Sequence, residues 1–280
     1  MKYVLKHLIQ PVLLITYMTI AVNFYGRVHP FKLLLFLISV NLVILWWLER
    51  IIPYKKNWKM DKKGFIENLN YFVLGAISDN VGKFIAIFSA MRLTSEKIDL
   101  PLYYSVPFAV IILEFFGYWI HRSTHKGGFL WKVHSIHHTP NKIYAWNNNK
   151  IHPLNIILLK FGRLSPLLLL GFNAETIFLA STFGLLQNYI SHVNADLKGG
   201  RLSYFISTPE LHRLHHSTNI EEAQNYSAVI PYWDMLFGTF IYKVDVKNIG
   251  VNNTSQYPSK IVDELLFPFM RAKITSHSSS

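Results

Sequence analysis

Histidine is concentrated in one half of the chain, with spacings that suit metal binding. Ten of the 13 histidines lie between residues 121 and 216. Eight of them form three motifs, HRSTH at 121–125, HSIHH at 134–138 and HRLHH at 212–216. Residues three or four apart share a face of a helix, so each motif predicts a helical face whose rings aim at one point. Such a face would chelate a metal ion.

The number of histidines indicates more than one ion. A zinc ion takes about four ligands, and a catalytic zinc takes about three from the protein. Eight buried imidazoles without partners would be costly, and metal ions would supply those partners. We therefore predict a binuclear centre. The chain contains no cysteine, which excludes thiolate ligands. Imidazole suits zinc, copper, iron and nickel, so the residue types leave the metal open.

Membrane helices are the elements that must position these motifs. Apolar residues make up 51% of the chain and charged residues only 16%, with a mean hydropathy of +0.22. Several apolar stretches approach the roughly 20 residues that cross a bilayer. The N-terminal stretch lacks a clear cleavage site and is interpreted as a retained span. The strong stretches are 8–25, 31–48, 69–92 and 102–120, with a weaker pair at 154–172 and 174–191.

The net charge of +12 has a distribution typical of a membrane protein. Lysines crowd the loop after the second span, and residues 121–150 carry basic but no acidic residues. Such loops mark the cytoplasmic side, and two helical hairpins would place residue 121 there as well. We expect no nucleic-acid binding, because no recognition motif is present. The membrane itself, a bacterial inner membrane or the endoplasmic reticulum, stays open.

Local signals place the motifs on helices. The span at 102–120 is predicted to continue into HRSTH, and FLWKVHSIHH to form a short helix that ends before Pro140. STPELHRLHH should begin a helix at Ser207 or Thr208, with Ser207 and Glu210 as a capping box. The predicted fold is therefore all-α, a multi-pass transmembrane helix bundle with a cytoplasmic histidine-rich helical cap.

Three regions follow from this pattern. Residues 1–100 would hold the N-terminal transmembrane helices and a basic cytoplasmic loop, and residues 101–243 the catalytic domain. Residues 244–280 form a polar C-terminal tail, expected to be loosely held. Within the third span, Asp79 and Lys83 stand four residues apart and are expected to pair.

The motifs and their flanks resemble a known family. HRSTH, HSIHH and HRLHH occur in this order, preceded by LEFFGYWI and followed by NYSAVIPYWDMLFGTF. Together they resemble the histidine boxes and closing signature of the fatty acid hydroxylase / sterol desaturase superfamily, which are integral membrane di-iron oxygenases. The resemblance covers about residues 105–240. Glu114 stands where many members have aspartate, and Ser227 replaces a usual glycine.

The resemblance implies a set of metal ligands, to which His192 in NYISHVN is added. Glu114 and Asp234 are candidates to bond the far nitrogen of a ligating histidine, with a packing or turn role as the alternative. His152 in KIHPLN and Asn225 are further candidates for supporting the centre, and for His152 a structural role is the alternative. The implied ligands are His121, His125, His134, His137, His138, His192, His212, His215 and His216.

The resemblance also implies cofactors and partners. Two non-haem iron ions would activate O2 as co-substrate, although the same ligands would also accept zinc. A lipid, such as a sterol or a fatty acyl chain, would be hydroxylated or desaturated. The chain has no GxGxxG motif for a flavin or nicotinamide. A separate electron donor is therefore expected, either a reductase, ferredoxin or cytochrome-type protein or a reduced pterin. The basic segment 121–150 would face an acidic donor.

Two other functions use similar residues. A membrane zinc hydrolase would bind its ion with the same ligands, but a general-base glutamate such as that of HExxH is absent from the motifs. A metal transporter would line its spans with ligands at mid-bilayer, whereas these motifs follow the spans.

Overall fold

The computed structural model describes residues 2–91, 98, 100–219, 221–243 and 245–271. Within these residues the fold is all-helical, and only isolated bridges link extended segments. The helices, in chain order, are α1 (Lys2–Phe24), α2 (Pro30–Ile51), α3 (Lys62–Ala90), α4 (Leu102–Thr124), α5 (Gly128–His138), α6 (Pro153–Leu169), α7 (Ala174–Ser191), α8 (Pro209–His215), α9 (Tyr232–Leu236) and α10 (Ile261–Leu266).

Helices α1 to α4 are long and apolar enough to cross a membrane, which confirms the four predicted spans. Large apolar side chains on them point outward, as lipid-facing residues do; Phe84 is 68% exposed. The weaker pair of stretches forms α6, which packs against α3 and α4, and α7, which packs against α1, α2 and α4. Their shared apolar core includes Leu113 of α4, Leu167 of α6 and Ala180 of α7.

Ends of three spans meet the cap, by which we mean the histidine-bearing part of the molecule. Glu49 near the end of α2 accepts hydrogen bonds from the backbone N–H groups of Ala145 (2.7 Å) and Asn194 (3.1 Å). Asn68 near the start of α3 donates to the Tyr144 hydroxyl (3.3 Å). The first histidine motif lies at the end of α4. These contacts give the bundle one end that carries the cap.

Close approach and charge pairing join α3 to α6. A Cβ atom added at Gly82 would lie only 2.8 Å from Lys160 Cβ, so the absence of a side chain there allows the helices to touch. One turn away, the Asp79 carboxylate pairs with Lys83 and with Lys160, each at 2.6 Å. The predicted pairing of Asp79 with Lys83 is confirmed, and Lys160 completes it. Each of these ionisable side chains therefore has a partner of opposite charge within the protein, with one carboxylate between two ammonium groups.

The C-terminal segment packs against the cap, contrary to the expectation that residues after 243 are loosely held. Val246 and Ile249 are buried against Trp58. Phe267 is buried against Tyr71, whose hydroxyl donates to Glu264 at 2.7 Å. The expectation was wrong because a few apolar positions in this polar segment suffice to dock it. Residues 272–280 of the predicted tail lie outside the described residues.

The short cap helices begin and end largely as predicted. Helix α5 ends at His138, before Pro140. Helix α8 begins after Thr208, whose side chain accepts from the N–H of Leu211 at 3.5 Å. The predicted capping box of Ser207 with Glu210 is wrong, because the Glu210 carboxylate accepts the N–H of Gly199 instead (2.9 Å).

Candidate metal centre

Four elements bring the sequence-predicted histidines together at the capped end of the bundle. The last turn and end of α4 carry the first motif, α5 carries the second, and α8 and the residue after it carry the third. His192 directly follows α7. All nine side chains are buried except that of His121, which is partly buried.

The nine rings divide into two groups, and in each group one nitrogen of every ring lies within 4.8 Å of the others. The groups adjoin, since the rings of His138 and His216 stack with their centres 4.3 Å apart. Group one consists of His121, His125, His134, His138 and His215; group two consists of His137, His192, His212 and His216.

The motifs HSIHH and HRLHH are each divided between the groups, which corrects the expectation that each motif aims its rings at one point. His134 and His138 belong to group one while His137 belongs to group two, and in the third motif the division is reversed. A helix turns about 100° per residue, so residues i and i+4 differ by about 40° while i+3 lies about 100° from i+4. Each short helix therefore faces both groups.

Backbone carbonyls fix the tautomer of two rings in group one. His121 Nδ1 lies 2.6 Å from the carbonyl oxygen of Tyr226, and His215 Nδ1 lies 2.8 Å from that of Gln224. A carbonyl oxygen only accepts, so each Nδ1 carries the proton and each Nε2 keeps its lone pair. The buried Nε2 of His215 has no hydrogen-bond partner among the described residues.

The same arrangement orders group two. His137 Nδ1 donates to the carbonyl oxygen of Lys150 (3.2 Å), and His192 Nδ1 donates to that of Asn188 (2.8 Å). Their two Nε2 atoms lie 3.2 Å apart. Two lone pairs that face each other at this distance repel unless a cation lies between them. The ring orientations of group two thus fit a metal ion.

Nitrogen spacing in both groups fits the same interpretation. The chain of Nε2 contacts in group two continues from His192 to His212 (2.9 Å) and on to His216 (3.1 Å). In group one, His134 Nε2 lies 3.0 Å from the Nε2 atoms of both His121 and His138. Donors about 2.1 Å from one ion are separated by about 3.0 to 3.4 Å in octahedral or tetrahedral geometry. The donor set therefore fits two metal ions.

Burial keeps these imidazoles neutral. Desolvation, reinforced by the neighbouring imidazoles, holds the pKa of His134, His137 and His212 well below the usual histidine value. Desolvation also lowers the pKa of His192 to about 4. Neutral imidazole is the form that binds a metal ion, so the site is prepared for a cation at neutral pH.

The two carboxylates predicted to bond ligand nitrogens contact backbone instead. Glu114 pairs with Arg163 and accepts the N–H of Val229 (2.7 Å). Asp234 accepts the N–H groups of Tyr226 (2.7 Å) and Ser227 (2.8 Å). The expectation of carboxylate–histidine bonds is therefore wrong for both. Asp234 supports His121 indirectly, because it binds the N–H of Tyr226, whose carbonyl orients the His121 ring.

The other two supporting candidates brace the chain near the centre and belong to neither group. His152 caps α6 by accepting the N–H of Leu154 (3.1 Å), and its Nε2 contacts the Leu265 carbonyl oxygen (3.1 Å). Asn225, at a φ of 58°, exchanges two hydrogen bonds of 2.9 Å with the backbone of Ile241. His152 thus has a structural role at the start of α6, and Asn225 has one in the segment between α8 and α9.

The partners that do orient the rings escaped sequence reasoning. Asn155 supplies a side-chain partner, with its amide nitrogen 3.3 Å from His134 Nδ1. The others are main-chain carbonyls, which every residue possesses, so no pattern in the sequence distinguishes them. Asn155 follows the HPL segment by one position, but that signal alone did not indicate a contact.

Comparison with known proteins places this geometry in a family. A family model described as fatty acid hydroxylase matches residues 106–239, which include all nine histidines. The chain is 26% identical over 250 residues to an ornithine lipid hydroxylase of Rhizobium tropici, covering 84% of this chain and 75% of that protein. No solved structure matches the chain.

Other relatives match over the catalytic region. Identity is 30% over 162 residues with an alkylglycerol monooxygenase of Homo sapiens, covering 56% of this chain and 35% of that protein. It is 29% over 160 residues with methylsterol monooxygenase 2-2 of Arabidopsis thaliana, covering 55% and 59% respectively. The chain thus spans less than two thirds of these two relatives. These matches confirm the predicted class, an oxygen-dependent lipid oxidoreductase, and residues 106–239 form a fatty acid hydroxylase domain.

Proposed function

We propose that the protein is a membrane-bound di-iron oxygenase that hydroxylates or desaturates a lipid with O2. The histidines of group one would hold one iron ion and those of group two the other. One observation carries the proposal: two adjoining sets of five and four histidine nitrogens, most of them deeply buried, in which the nitrogens of each set lie within 4.8 Å of one another. Residues 101–243 would be the catalytic region, with the preceding helices as its anchor and residues 245–271 as a brace.

The position of the centre supports a lipid substrate. Group one begins on the last turn of α4, so an insoluble molecule could reach it sideways from the bilayer without crossing water. The relatives are named for ornithine lipid, alkylglycerol and methylsterol, all of which carry unactivated aliphatic C–H bonds. A sterol, a fatty acyl chain or a related lipid is the substrate class that we propose.

The protein itself orients the histidine rings and excludes water from the site. Bound iron would supply the redox chemistry that histidine lacks, the activation of O2 for attack on an unactivated C–H bond. The carbonyls of Tyr226 and Lys150 keep protons on Nδ1, so that Nε2 stays a donor. Fully buried Trp131 and Ile136 limit water beside the rings. Hydroxylation consumes O2, two electrons and two protons, and yields the alcohol and water.

Electrons must come from a separate donor that docks on the basic cytoplasmic face. Lys126 of the predicted docking segment is exposed, but Lys150 is buried and pairs with Glu264 at 2.8 Å, so it is not available to a partner. Exposed lysines of the loop after α2 and of the first turn of α3 would add to the basic surface. An acidic protein donor would be steered to such a face. The additional exposed lysines are Lys56, Lys59, Lys62 and Lys63.

The proposal is tested by metal analysis of detergent-purified protein together with lipid analysis of cells with and without the gene. We expect about two irons per chain, as inferred from the ligand count, and an oxygen-dependent change in one lipid class. His137→Ala and His215→Ala should each abolish that change while the protein still inserts in the membrane. One zinc with unaltered lipids would instead indicate a hydrolase. Metal flux into vesicles without lipid oxidation would indicate a transporter.

A further inference from the structure

One part of the catalytic region leaves the cap and runs beside a membrane span. Trp233 Nε1 donates to the carbonyl oxygen of Ile111 (3.3 Å), and the Trp233 ring lies 4.8 Å from that of Phe115. Ile111 precedes His121 by ten residues, which is about 15 Å along a helix. Helix α9 therefore lies alongside the middle of α4, well below the histidines.

Internal partners satisfy backbone groups of the segment that leads into α9. Val229 donates its N–H to Glu114 (2.7 Å), and its carbonyl oxygen accepts from Ser207 N (2.7 Å). Asp234 accepts from the backbone of Tyr226 and of Ser227. In hydrocarbon, irregular backbone is tolerated only where the protein supplies such partners. The buried carboxylates of Glu114 and Asp234 thus make this stretch compatible with membrane depth.

The outer face of α9 is apolar and uncovered by the described residues. Tyr232 and Leu236 are 55% and 58% exposed, and Met235 beside them is exposed as well. This face continues the outward side of α4, where Phe116 and Trp119 are also exposed. Between residues 228 and 240 the single charged side chain is Asp234, which is buried.

A basic side chain marks where α4 leaves the apolar zone. The guanidinium of Arg122 lies 5.5 Å from the Trp119 ring centre and donates to the Tyr118 hydroxyl (2.9 Å). An arginine stacked on a tryptophan is typical of the headgroup level of a membrane. Trp233 lies beside Phe115, about two turns of α4 on the apolar side of Arg122.

From these contacts we propose that residues 231–237 form a re-entrant segment inserted in the bilayer beside α4, with Tyr232, Met235 and Leu236 in contact with lipid acyl chains. The occupant follows from continuity with the exposed face of a membrane span. The inference goes beyond the proposed oxygenase activity and does not depend on it. The segment also contacts the metal centre indirectly. Asp234 of the segment accepts the N–H of Tyr226, and the carbonyl of Tyr226 orients His121.

The chain contains no cysteine, so single labels can be introduced without background. A nitroxide is attached to Leu236→Cys in vesicles of phosphatidylcholine and phosphatidylglycerol, and its collisions with O2 and with a water-soluble nickel complex are measured by power saturation. Ile77→Cys on the exposed face of α3 is the membrane control, and Asn57→Cys in the exposed loop after α2 is the aqueous control.

We expect position 236 to match position 77, with frequent O2 collisions and few nickel collisions. Nickel access equal to that at position 57 would overturn the proposal, because the segment would then lie in water. Low access to both reagents would also overturn it, because another protein surface would then cover the face. Tyr232→Cys gives a second reporter on the same face if Leu236→Cys fails to fold.

Discussion

Group one and group two are built from the same residue type but differ in number and support. Group one has five donors, and two of its rings are oriented by the carbonyls of Gln224 and Tyr226. These two residues precede the proposed re-entrant segment, residues 231–237. Group two has four donors, and its supporting carbonyls belong to Lys150 and Asn188, inside the cap. One group is therefore coupled to the membrane side, and the other to the cap interior.

The side chains that surround the two groups also differ. In group one the His125 ring lies 5.3 Å from Trp131 and 5.1 Å from Tyr226, so aromatic side chains line it. Lys150, which supports group two, has its ammonium fixed by Glu264 of the C-terminal segment at 2.8 Å. The comparison teaches that group two is the smaller, more tightly braced set, while group one has a donor to spare. The two groups should therefore differ in their tolerance of ligand loss.

The largest expected effect comes from removing one donor from each group. His192→Ala leaves three donors in group two, and we expect the purified protein to lose about one of the two irons that we propose. His125→Ala leaves four donors in group one, enough to retain both irons. Lipid oxidation by His192→Ala should fall by at least about 100-fold, because loss of a ligand exceeds the 10- to 100-fold cost of losing its supporting partner.

Iron content by mass spectrometry measures this difference, and His29→Ala is the matched control. His29 is exposed at the start of α2 and belongs to neither group. Its replacement should leave two irons. Equal iron loss in His125→Ala and His192→Ala would contradict the inferred difference between the groups.

A smaller effect should follow from removing Asn155, a side chain that supports a ligand ring. Asn155→Ala removes the partner of His134 Nδ1, so iron affinity at group one should fall by about 10- to 100-fold while group two keeps its ion. Competition with a graded series of chelators measures the two affinities separately. The Asn155 atom that contacts Nδ1 is the amide nitrogen, and Asn155→Asp puts a carboxylate oxygen in its place. This oxygen can accept a hydrogen bond from Nδ1 and leave Nε2 free to bind the ion, so the variant should restore most of the affinity.

Asn80→Ala is the control, because Asn80 is exposed and its side chain bonds only the Ala76 carbonyl among the described residues. It should leave both affinities unchanged. If Asn155→Ala lowered the iron affinity of both groups equally, the cause would be a general loss of folding and not the loss of a specific support for group one.

Sequence patterns predicted the scaffold well because hydropathy alone decides which helices meet lipid. The four spans were found because each has about 20 apolar residues in sequence. The gathering of the histidines was also predictable, since their spacing and the family resemblance agree. His192 lies 20 residues before His212, and only the resemblance indicated that both belong to one site.

The assignment of rings to groups could not be predicted, because it depends on how α5 and α8 are turned against each other. His137 and His138 are neighbours in sequence yet lie in different groups. For Glu114 and Asp234 the sequence left two roles open, and the structure shows the packing or turn role and not the bond to histidine. A buried carboxylate near a histidine motif suggests a bond to imidazole, but here the backbone of an irregular segment competes for the same oxygens.

The smallest expected effect is that of mild acid, which tests the burial shared by both groups. Because desolvation lowers the pKa of His192 from 6.5 to about 4, the folded chain binds fewer protons at this ring than the unfolded chain between these values. The free energy of unfolding that this ring contributes is fully present above pH 6.5 and is lost as the pH falls toward 4.

Bound iron excludes protons further, so we expect iron content to stay unchanged between about pH 7.5 and 5.5 and to fall only as the pH approaches about 4. The measurement is iron retained after rapid desalting at each pH. Loss of half the iron by pH 6.5 would show that the rings titrate as exposed histidines do. Loss of only one iron by pH 6.5 would show that water reaches the histidines of one group. The two groups would then differ in their access to water as well as in their number of donors.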